Sequence, residues 1–156
     1  MSKRTPMDLA LEQARAAAGR GEVPVGAVVM RDRELIAAAG NRVREQVDPT
    51  AHAEILAIRA AAQRLGSERL AGCDLYVTLE PCAMCAQAIS LARLARLYFG
   101  AEDAKGGGVL HGARVFAHPT CHHKPEIYGG VGERAGRALL QDFFQARRAA
   151  NSAASI

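Results

Sequence analysis

The segment from Asp74 to Gly100 holds two short apolar strands with a proline and a helix between them. DLYVTL, residues 74–79, has the β-branched and aromatic residues that favour a strand. Pro81 then opens the helix of CAMCAQAISLARLAR, and RLYFG, residues 96–100, is the next strand. Two strands joined through a helix lie parallel in one sheet. This segment therefore predicts an α/β fold with a partly parallel sheet.

The rest of the chain continues the alternation of helices and strands. We predict helices over 7–19, 48–66 and 133–149, strands over 23–30, 34–41 and 126–128, and a helical turn over 109–116. Helices that alternate with apolar strands cover both faces of the sheet they connect. The pattern predicts a three-layer α/β/α fold with a central mixed sheet of about five strands.

Length and composition predict a single globular domain. The chain has 156 residues, of which 49% are hydrophobic and 23% are charged, and no apolar run is long enough to span a bilayer. Asp8, Glu12 and Arg15 interrupt the apolar positions of the N-terminus, so no signal-peptide core is present. We expect a cytoplasmic protein with a core over about 7–148 and a frayed tail over 149–156. The net charge of +4 suits a polyanionic partner without requiring one.

The four cysteines, at positions 73, 82, 85 and 121, are too sparse for a disulfide framework. In a reducing compartment a disulfide between Cys82 and Cys85 is not expected. Cysteines three residues apart share one face of a helix, and the helix N-terminus favours the thiolate that ligates metal. Alone, the C-x-x-C spacing fits a redox pair, a zinc site or chance.

His52-Ala53-Glu54 lies thirty residues before Cys82 and resolves that ambiguity. H-x-E followed by P-C-x-x-C is the signature of zinc nucleobase deaminases, in which His and two Cys bind the metal and Glu is the general acid/base. We therefore predict that His52, Cys82 and Cys85 bind one Zn²⁺ and that Glu54 is catalytic. Residues two apart on a helix point in different directions, so both side chains must tilt back toward the N-terminus.

Three protein ligands leave one coordination position open, as a catalytic zinc requires. Zinc lowers the pKa of bound water toward neutrality, and the resulting hydroxide can attack the ring carbon that bears an amino group. Glu54 would take the proton from water, pass one to the adjacent ring nitrogen and protonate the departing ammonia. The pattern thus predicts hydrolytic deamination.

Beyond this signature, the chain resembles the bacterial tRNA-specific adenosine deaminases of the cytidine/deoxycytidylate deaminase superfamily. The resemblance runs from about Met7 to Arg148 and rests on EVPVGAV, GN, DPTAHAE, LYVTLEPCAMCA, RLYFGAEDAKGG and DFFQARR. It implies a cytidine-deaminase-like fold and conversion of adenosine to inosine at the wobble position of tRNA anticodons. It also implies one Zn²⁺ per subunit, a homodimer, and the tRNA anticodon stem-loop as partner.

The resemblance also implies contacts to the target nucleoside. Asn41 matches the family asparagine that hydrogen-bonds this nucleoside, although by residue type alone it fits a turn after Gly40. Val23 and Pro24 match the wall against the flipped base, although they also fit an ordinary strand start. These three positions acquire a functional role only through the family.

Contacts to the surrounding RNA are implied in the same way. Asp103 and Lys105 match a loop that contacts the nucleotides flanking the target, although they also fit a solvated loop. Phe144, Arg147 and Arg148 match a C-terminal helix that approaches the anticodon. The neighbouring Phe143 is expected in the core.

Two other functions share parts of the pattern. A deaminase of a free nucleobase or nucleoside, such as guanine, cytosine or adenosine, needs the same zinc centre but no RNA-binding surface. A structural zinc module would use Cys73 or Cys121 as a fourth ligand and leave no open position. For the segment Cys121-His122-His123 we favour a histidine-rich loop over a second metal site, because adjacent residues rarely converge on one ion.

Overall fold

In the computed structural model, which describes residues 3–154, five strands form one mixed sheet. They are β1 (Gly26–Arg31), β2 (Glu34–Gly40), β3 (Cys73–Leu79), β4 (Arg96–Ala101) and β5 (Glu126–Tyr128). The strand order is β2-β1-β3-β4-β5. β1 runs antiparallel to β2 and β3, whereas β4 runs parallel to both β3 and β5. The predicted five-stranded mixed sheet is confirmed.

Four α-helices cover the sheet. They are α1 (Pro6–Gly19), α2 (Ala53–Leu65), α3 (Ala83–Leu91) and α4 (Glu133–Ala154), and a 3₁₀ turn spans Val115–Ala117. α1 and α4 contact each other and share one face of the sheet, while α2 and α3 share the other. The three-layer α/β/α prediction is confirmed.

Alternate residues of β1 face these two helical layers. Ala27 and Val29 belong to the larger core beneath α2 and α3, whereas Val28 and Met30 pack with α1. Because successive side chains of a strand point to opposite faces, a strand covered on both faces is apolar throughout. This explains the unbroken apolar run of VPVGAVVM.

The start of α2 differs from the prediction. Asp48 was expected to cap this helix, but His52 is its N-cap. Asp48 Oδ1 instead accepts hydrogen bonds from the N–H of Thr50 at 2.8 Å and from its hydroxyl at 2.7 Å. Such a local side-chain turn competes with helix formation. The helix therefore begins only after the chain has left this turn.

α4 continues through Ala154, beyond the predicted end of this helix at residue 149 and into the segment expected to fray. The alanines at positions 149, 150, 153 and 154 have the highest helix propensity and explain the extension. Residues 155–156 lie outside the described part. Of the helical turn predicted over 109–116, only the C-terminal end is helical, as part of the 3₁₀ turn Val115–Ala117.

The parallel register stacks three tyrosines across the sheet. Tyr76, Tyr98 and Tyr128 are partners on β3, β4 and β5. Their rings stack with centroids 4.3 and 4.9 Å apart. Cross-strand aromatic pairs stabilise a sheet, so this stack helps to hold the three-residue β5 at the sheet edge.

Across residues 3–154, none of the helices is both long and apolar enough to cross a membrane.

α1 lies close to the backbone of the β1–β2 hairpin at a pair of glycines. Gly26 and Gly40 are opposite each other in the register. A Cβ on Gly26 would lie 1.9 Å from the carbonyl oxygen of Ala10, and a Cβ on Gly40 would lie 2.6 Å from that of Gln13. α1 can therefore pack this closely on the sheet only because these two residues lack side chains.

We expect Gly26→Ala to lower the free energy of unfolding by about 1–3 kcal/mol or more, because the methyl group overpacks a contact with rigid helix backbone. Urea denaturation monitored by circular dichroism measures this change. The control is Gly19→Ala at the last residue of α1, where a Cβ meets nothing within 4 Å. This control should be neutral or stabilising. Equal denaturation midpoints for the two variants would contradict this packing of α1 on the hairpin.

Candidate metal centre and substrate pocket

α2 and α3 begin side by side and bring four predicted site residues together. His52 is the N-cap of α2 and Cys82 the N-cap of α3, and both have extended backbones. Neither side chain caps its own helix, so each is free to turn toward the other. Glu54 and Cys85 follow in the two first turns. Because His52 precedes the helix, it does not have to share a helical face with Glu54.

The ligand atoms have the spacing of a zinc site. His52 Nδ1 lies 3.6 Å from Cys82 Sγ and 3.5 Å from Cys85 Sγ, and all three atoms lie within 4.8 Å of one another. In a tetrahedral site with Zn–N and Zn–S bonds of about 2.0 and 2.3 Å, nitrogen and sulfur are about 3.5 Å apart. The donor set and its spacing therefore fit zinc. Within residues 3–154, no second group of three such side chains comes together.

The environment ionises one thiol selectively. The hydrogen bond from Cys85, joined by one from His52, outweighs the effect of burial and lowers the pKa of Cys82 to about 4. The same pairing with Cys82, together with burial, raises the pKa of Cys85. Cys82 is thus a ready thiolate, and a bound cation would favour ionisation of the second thiol as well.

Glu54 lies beside the ligands but does not belong to the group that can hold the metal. Its side chain is buried, and burial raises the pKa of its carboxyl group, with a further contribution from the charge of Cys82. A carboxyl group whose pKa is raised toward neutrality can both accept and return a proton. The position suits the predicted role in proton transfer.

Asn41 has a structural contact that the sequence did not reveal. Its Oδ1 accepts a hydrogen bond from the N–H of Ala53 at 2.8 Å, and the residue is buried. This bond satisfies a free N–H of the first turn of α2, where His52 makes no side-chain cap. Asn41 therefore helps to hold the start of α2, which carries His52 and Glu54.

A pocket of about 500 Å³ opens at this centre. Predicted site residues that line it are Val23, Asn41, His52, Glu54, Cys82, Asp103 and Arg147. The structure thus brings the candidate metal ligands and several of the implied RNA contacts to a single cavity. A concave site in which polar groups converge beside apolar side chains is typical of small-ligand recognition.

Four other implied contacts do not line this pocket. Pro24 is buried and does not line it, whereas Val25 does. Lys105 and Arg148 are exposed on the surface. Phe144 lines an adjoining pocket of about 300 Å³, together with Val23. Of these four implied contacts, only Phe144 lines the adjoining pocket.

Arg147 reaches the pocket along α4. Its guanidinium lies 5.2 Å from the centre of the Phe143 ring, within the range of a cation–π contact. Phe143 was expected in the core, but it is only half-buried. The ring therefore supports the arginine at the rim of the pocket.

Sequence reasoning missed two buried carboxylates in the pocket wall, Glu22 and Glu80. Glu22 accepts hydrogen bonds from the N–H groups of Arg44 and Glu45 at 3.0 and 2.9 Å. Burial raises the pKa of Glu22, but these two bonds outweigh it and lower the pKa overall. The only signals in the sequence were the positions of the two residues. Glu22 directly precedes an apolar strand, and Glu80 directly precedes the pair Pro81-Cys82.

Cys73 and Cys121 lie outside the ligand group. Cys73 begins β3, at the opposite end of that strand from Cys82. Cys121 instead contacts the carbonyl oxygen of His123 at 3.2 Å. The ring of His123 in turn donates to the carbonyl oxygen of Leu94 at 2.7 Å. Neither cysteine can serve as the fourth ligand that a structural zinc module would need.

Comparison with known proteins agrees with this geometry. The sequence profile of the MafB19-like deaminase family matches residues 1–148. The tRNA-specific adenosine deaminase of Agrobacterium fabrum (strain C58 / ATCC 33970) is 56% identical over 149 residues, which cover 95% of this chain and 98% of that protein.

Solved structures share the fold. One, from a study of A-to-I editing by tRNA:A34 deaminases at the wobble position of transfer RNA, has a TM-score of 0.85 and 58% identity and covers 86% of this chain and 98% of its own. The guanine deaminase of Bacillus subtilis has a TM-score of 0.64 and 32% identity, and the match covers 95% of this chain and 94% of that structure. The chain therefore belongs to the MafB19-like deaminase family and, within it, to the tRNA-specific adenosine deaminases.

Proposed function

We propose that this chain is a single-domain hydrolase that deaminates adenosine to inosine at the wobble position of tRNA anticodons. The observation that carries the proposal is the buried Glu54 beside three converging metal ligands, at a pocket whose rim holds Arg147. The near full-length similarity to tRNA-specific adenosine deaminases supports the same substrate.

His52 Nδ1 and the sulfurs of Cys82 and Cys85 would hold one Zn²⁺. A set of three protein ligands leaves a coordination position for water, which distinguishes a catalytic from a structural zinc. When bound, zinc supplies a nucleophile at neutral pH by lowering the pKa of water. The spacing of the three donor atoms supports this cofactor.

Glu54 moves the protons of the reaction. Its carboxylate accepts a proton from the attacking water and returns it to the ring nitrogen next to the reacting carbon. Glu54 then transfers the proton of the added hydroxyl group to the amino group, so that ammonia leaves and a carbonyl oxygen remains. Burial raises the pKa of Glu54 above its ordinary value, which favours uptake of the proton from water.

The pocket positions the base and its neighbours. Val23 and Asn41 line the cavity beside Glu54 and would contact the extruded adenosine. Asp103, Arg44 and Arg147 line the same cavity and would contact the flanking nucleotides. An unstacked base in a single-stranded loop costs only a few kcal/mol to extrude, and the flanking contacts offset that cost.

Deamination of a free base is the alternative function, since the guanine deaminase of Bacillus subtilis shares the fold. The higher TM-score and identity of the tRNA-editing structure favour the RNA substrate. Comparing inosine formation in an anticodon stem-loop with turnover of free guanine, cytosine and adenosine distinguishes the two functions. Turnover of a free base at a rate equal to that of the stem-loop would count against our assignment.

We also propose a cytoplasmic homodimer, as the resemblance to the tRNA-specific adenosine deaminases implies. Met84 and Leu91 lie seven residues apart on one side of α3 and are 36% and 68% exposed. Exposed apolar residues on one face are typical of an interaction surface. None of the four cysteines forms a disulfide, which suits a reducing compartment.

The first prediction concerns the metal. Cys82→Ser and Cys85→Ser should each lose zinc, because each removes one of three ligands, whereas Cys73→Ser and Cys121→Ser should keep one zinc per chain. Elemental analysis of the purified proteins measures this directly. A requirement for Cys73 or Cys121 would support a structural zinc site instead.

The second prediction separates the catalyst from the ligands. Glu54→Ala should retain zinc but lose about 10²–10⁴-fold or more in kcat, because general acid/base catalysis is lost in more than one step. Single-turnover deamination of the stem-loop measures the loss. Glu68→Ala, at an exposed glutamate between α2 and β3, is the control and should match wild type. Near wild-type rates for Glu54→Ala would exclude the mechanism.

The third prediction concerns RNA binding. The double variant Arg147→Ala/Arg148→Ala should weaken stem-loop binding and reduce its salt dependence by a slope of roughly one unit for each phosphate that the arginines no longer neutralise. Binding titrations over a range of salt concentrations measure both effects. Zinc content should stay unchanged.

Arg15→Ala/Arg134→Ala, which removes the same charge from exposed positions of α1 and α4, is the matched control. It should change affinity far less, since its two residues do not line either pocket at the metal centre. If both double variants weakened binding equally, the effect would come from net charge alone and the assignment of the α4 arginines would fail.

A further inference from the structure

Glu80, directly after β3, has a completely buried carboxylate that one loop surrounds. Its Oε2 accepts hydrogen bonds from the N–H groups of Val109, Leu110 and His111 at 3.2, 3.0 and 3.2 Å. Its Oε1 accepts one from the N–H of Asp103 at 3.1 Å and lies 2.8 Å from Nδ1 of His111. Because an ionised carboxylate only accepts, that ring nitrogen carries the hydrogen. The bonds all come from residues 103–111.

The glycines of this loop let it close around the carboxylate. A Cβ on Gly107 would lie 2.2 Å from Glu80 Oε2, and a Cβ on Gly108 would lie 2.4 Å from the backbone nitrogen of Ala83. Both positions therefore exclude any side chain. The last two glycines of the run GGG are thus explained by close packing of the loop against Glu80 and the first turn of α3.

The same loop forms part of the pocket wall. Asp103 and Gly106 line the cavity together with Glu80. The N–H of Asp103 is held by Glu80, and its own Oδ1 accepts from the N–H groups of Lys105 and Gly106 at 3.2 and 2.9 Å. Both the backbone and the side chain of Asp103 are therefore held in place.

We infer that Glu80 is a positioning residue, whose buried carboxylate holds loop 103–111 in place as one wall of the substrate pocket. It acts on substrate binding through Asp103 and does not move protons in the reaction. The inference deepens the proposed function and rests on it only for the choice of test substrate. Glu80 lies two residues before Cys82, so a single short segment carries both a metal ligand and the anchor of the pocket wall.

Glu80→Gln tests this inference with almost no change in volume. A glutamine keeps one accepting oxygen and replaces the other with a group that only donates, so at least two donors of the loop lose their partner. Amide hydrogen exchange at residues 103 and 109–111 should accelerate about 10–100-fold, because bonds to a charged acceptor are removed.

The kinetics should separate positioning from general loss of structure. KM for the stem-loop should rise about tenfold, while kcat at saturating substrate changes less than about threefold and zinc content stays at one per chain. Glu126→Gln is the matched control, since it makes the same chemical change at an exposed carboxylate of β5 that pairs with Arg96. It should leave loop exchange and KM unchanged.

His111→Ala provides a second variant if Glu80→Gln does not fold. It removes only the side-chain bond to Glu80 and keeps the backbone N–H groups, so exchange and KM should change in the same direction by a smaller factor. If amide hydrogen exchange in the loop were as slow in both variants as in the wild-type protein, the inference would be overturned. Faster loop exchange with an unchanged KM, or loss of zinc in Glu80→Gln, would overturn it as well.

The outcomes also distinguish this inference from the proposed function. A wild-type protein that does not deaminate the stem-loop contradicts the proposed function. Measurements of hydrogen exchange and zinc content need no substrate. Even in that case, loop exchange in Glu80→Gln as slow as in the wild-type protein would overturn the anchoring role of Glu80. Faster exchange confined to residues 103–111 would still support that role.

Discussion

The convergence of two helix N-termini determines the chemistry of this protein. His52 and Cys82 each stand at an N-cap with extended backbone, and neither caps its own helix. Their side chains therefore meet, with His52 Nδ1 within 3.6 Å of both thiols. The positive ends of the two helix dipoles favour thiolate over thiol at this point. Moving either helix by one turn, about 5.4 Å, would separate the ligands.

Buried carboxylates hold the loops around this centre. Glu22 binds the backbone of the segment after β2, and Glu80 binds loop 103–111. An unpaired buried carboxylate is costly, but several N–H donors offset that cost and leave the charge well satisfied. The result is a pocket whose walls are fixed before the substrate arrives, which reduces the ordering cost of binding.

Much of the candidate site could be predicted because its motifs are local. His52 and Glu54 lie two residues apart, and Cys82 and Cys85 three apart, so the start of one helix presents each pair. The residue at which α2 starts was less predictable. Asp48 resembles an N-cap by residue type, yet its oxygen bonds Thr50 and delays the helix to Ala53. Propensity alone cannot rank two such local hydrogen-bonding arrangements.

The sequence by itself determined the order of helices and strands and singled out the candidate metal donors and the candidate proton-transfer residue, because periodicity and ligand chemistry depend on residue type and short spacing. Only the tertiary structure decided that Asn41 holds the start of α2, that Arg147 of α4 lines the pocket at the metal ligands, and that Glu80 anchors a loop more than twenty residues away. Such contacts depend on which elements become neighbours in the folded chain. That information resides in the packing of the two helical layers against the sheet, and no local pattern encodes it.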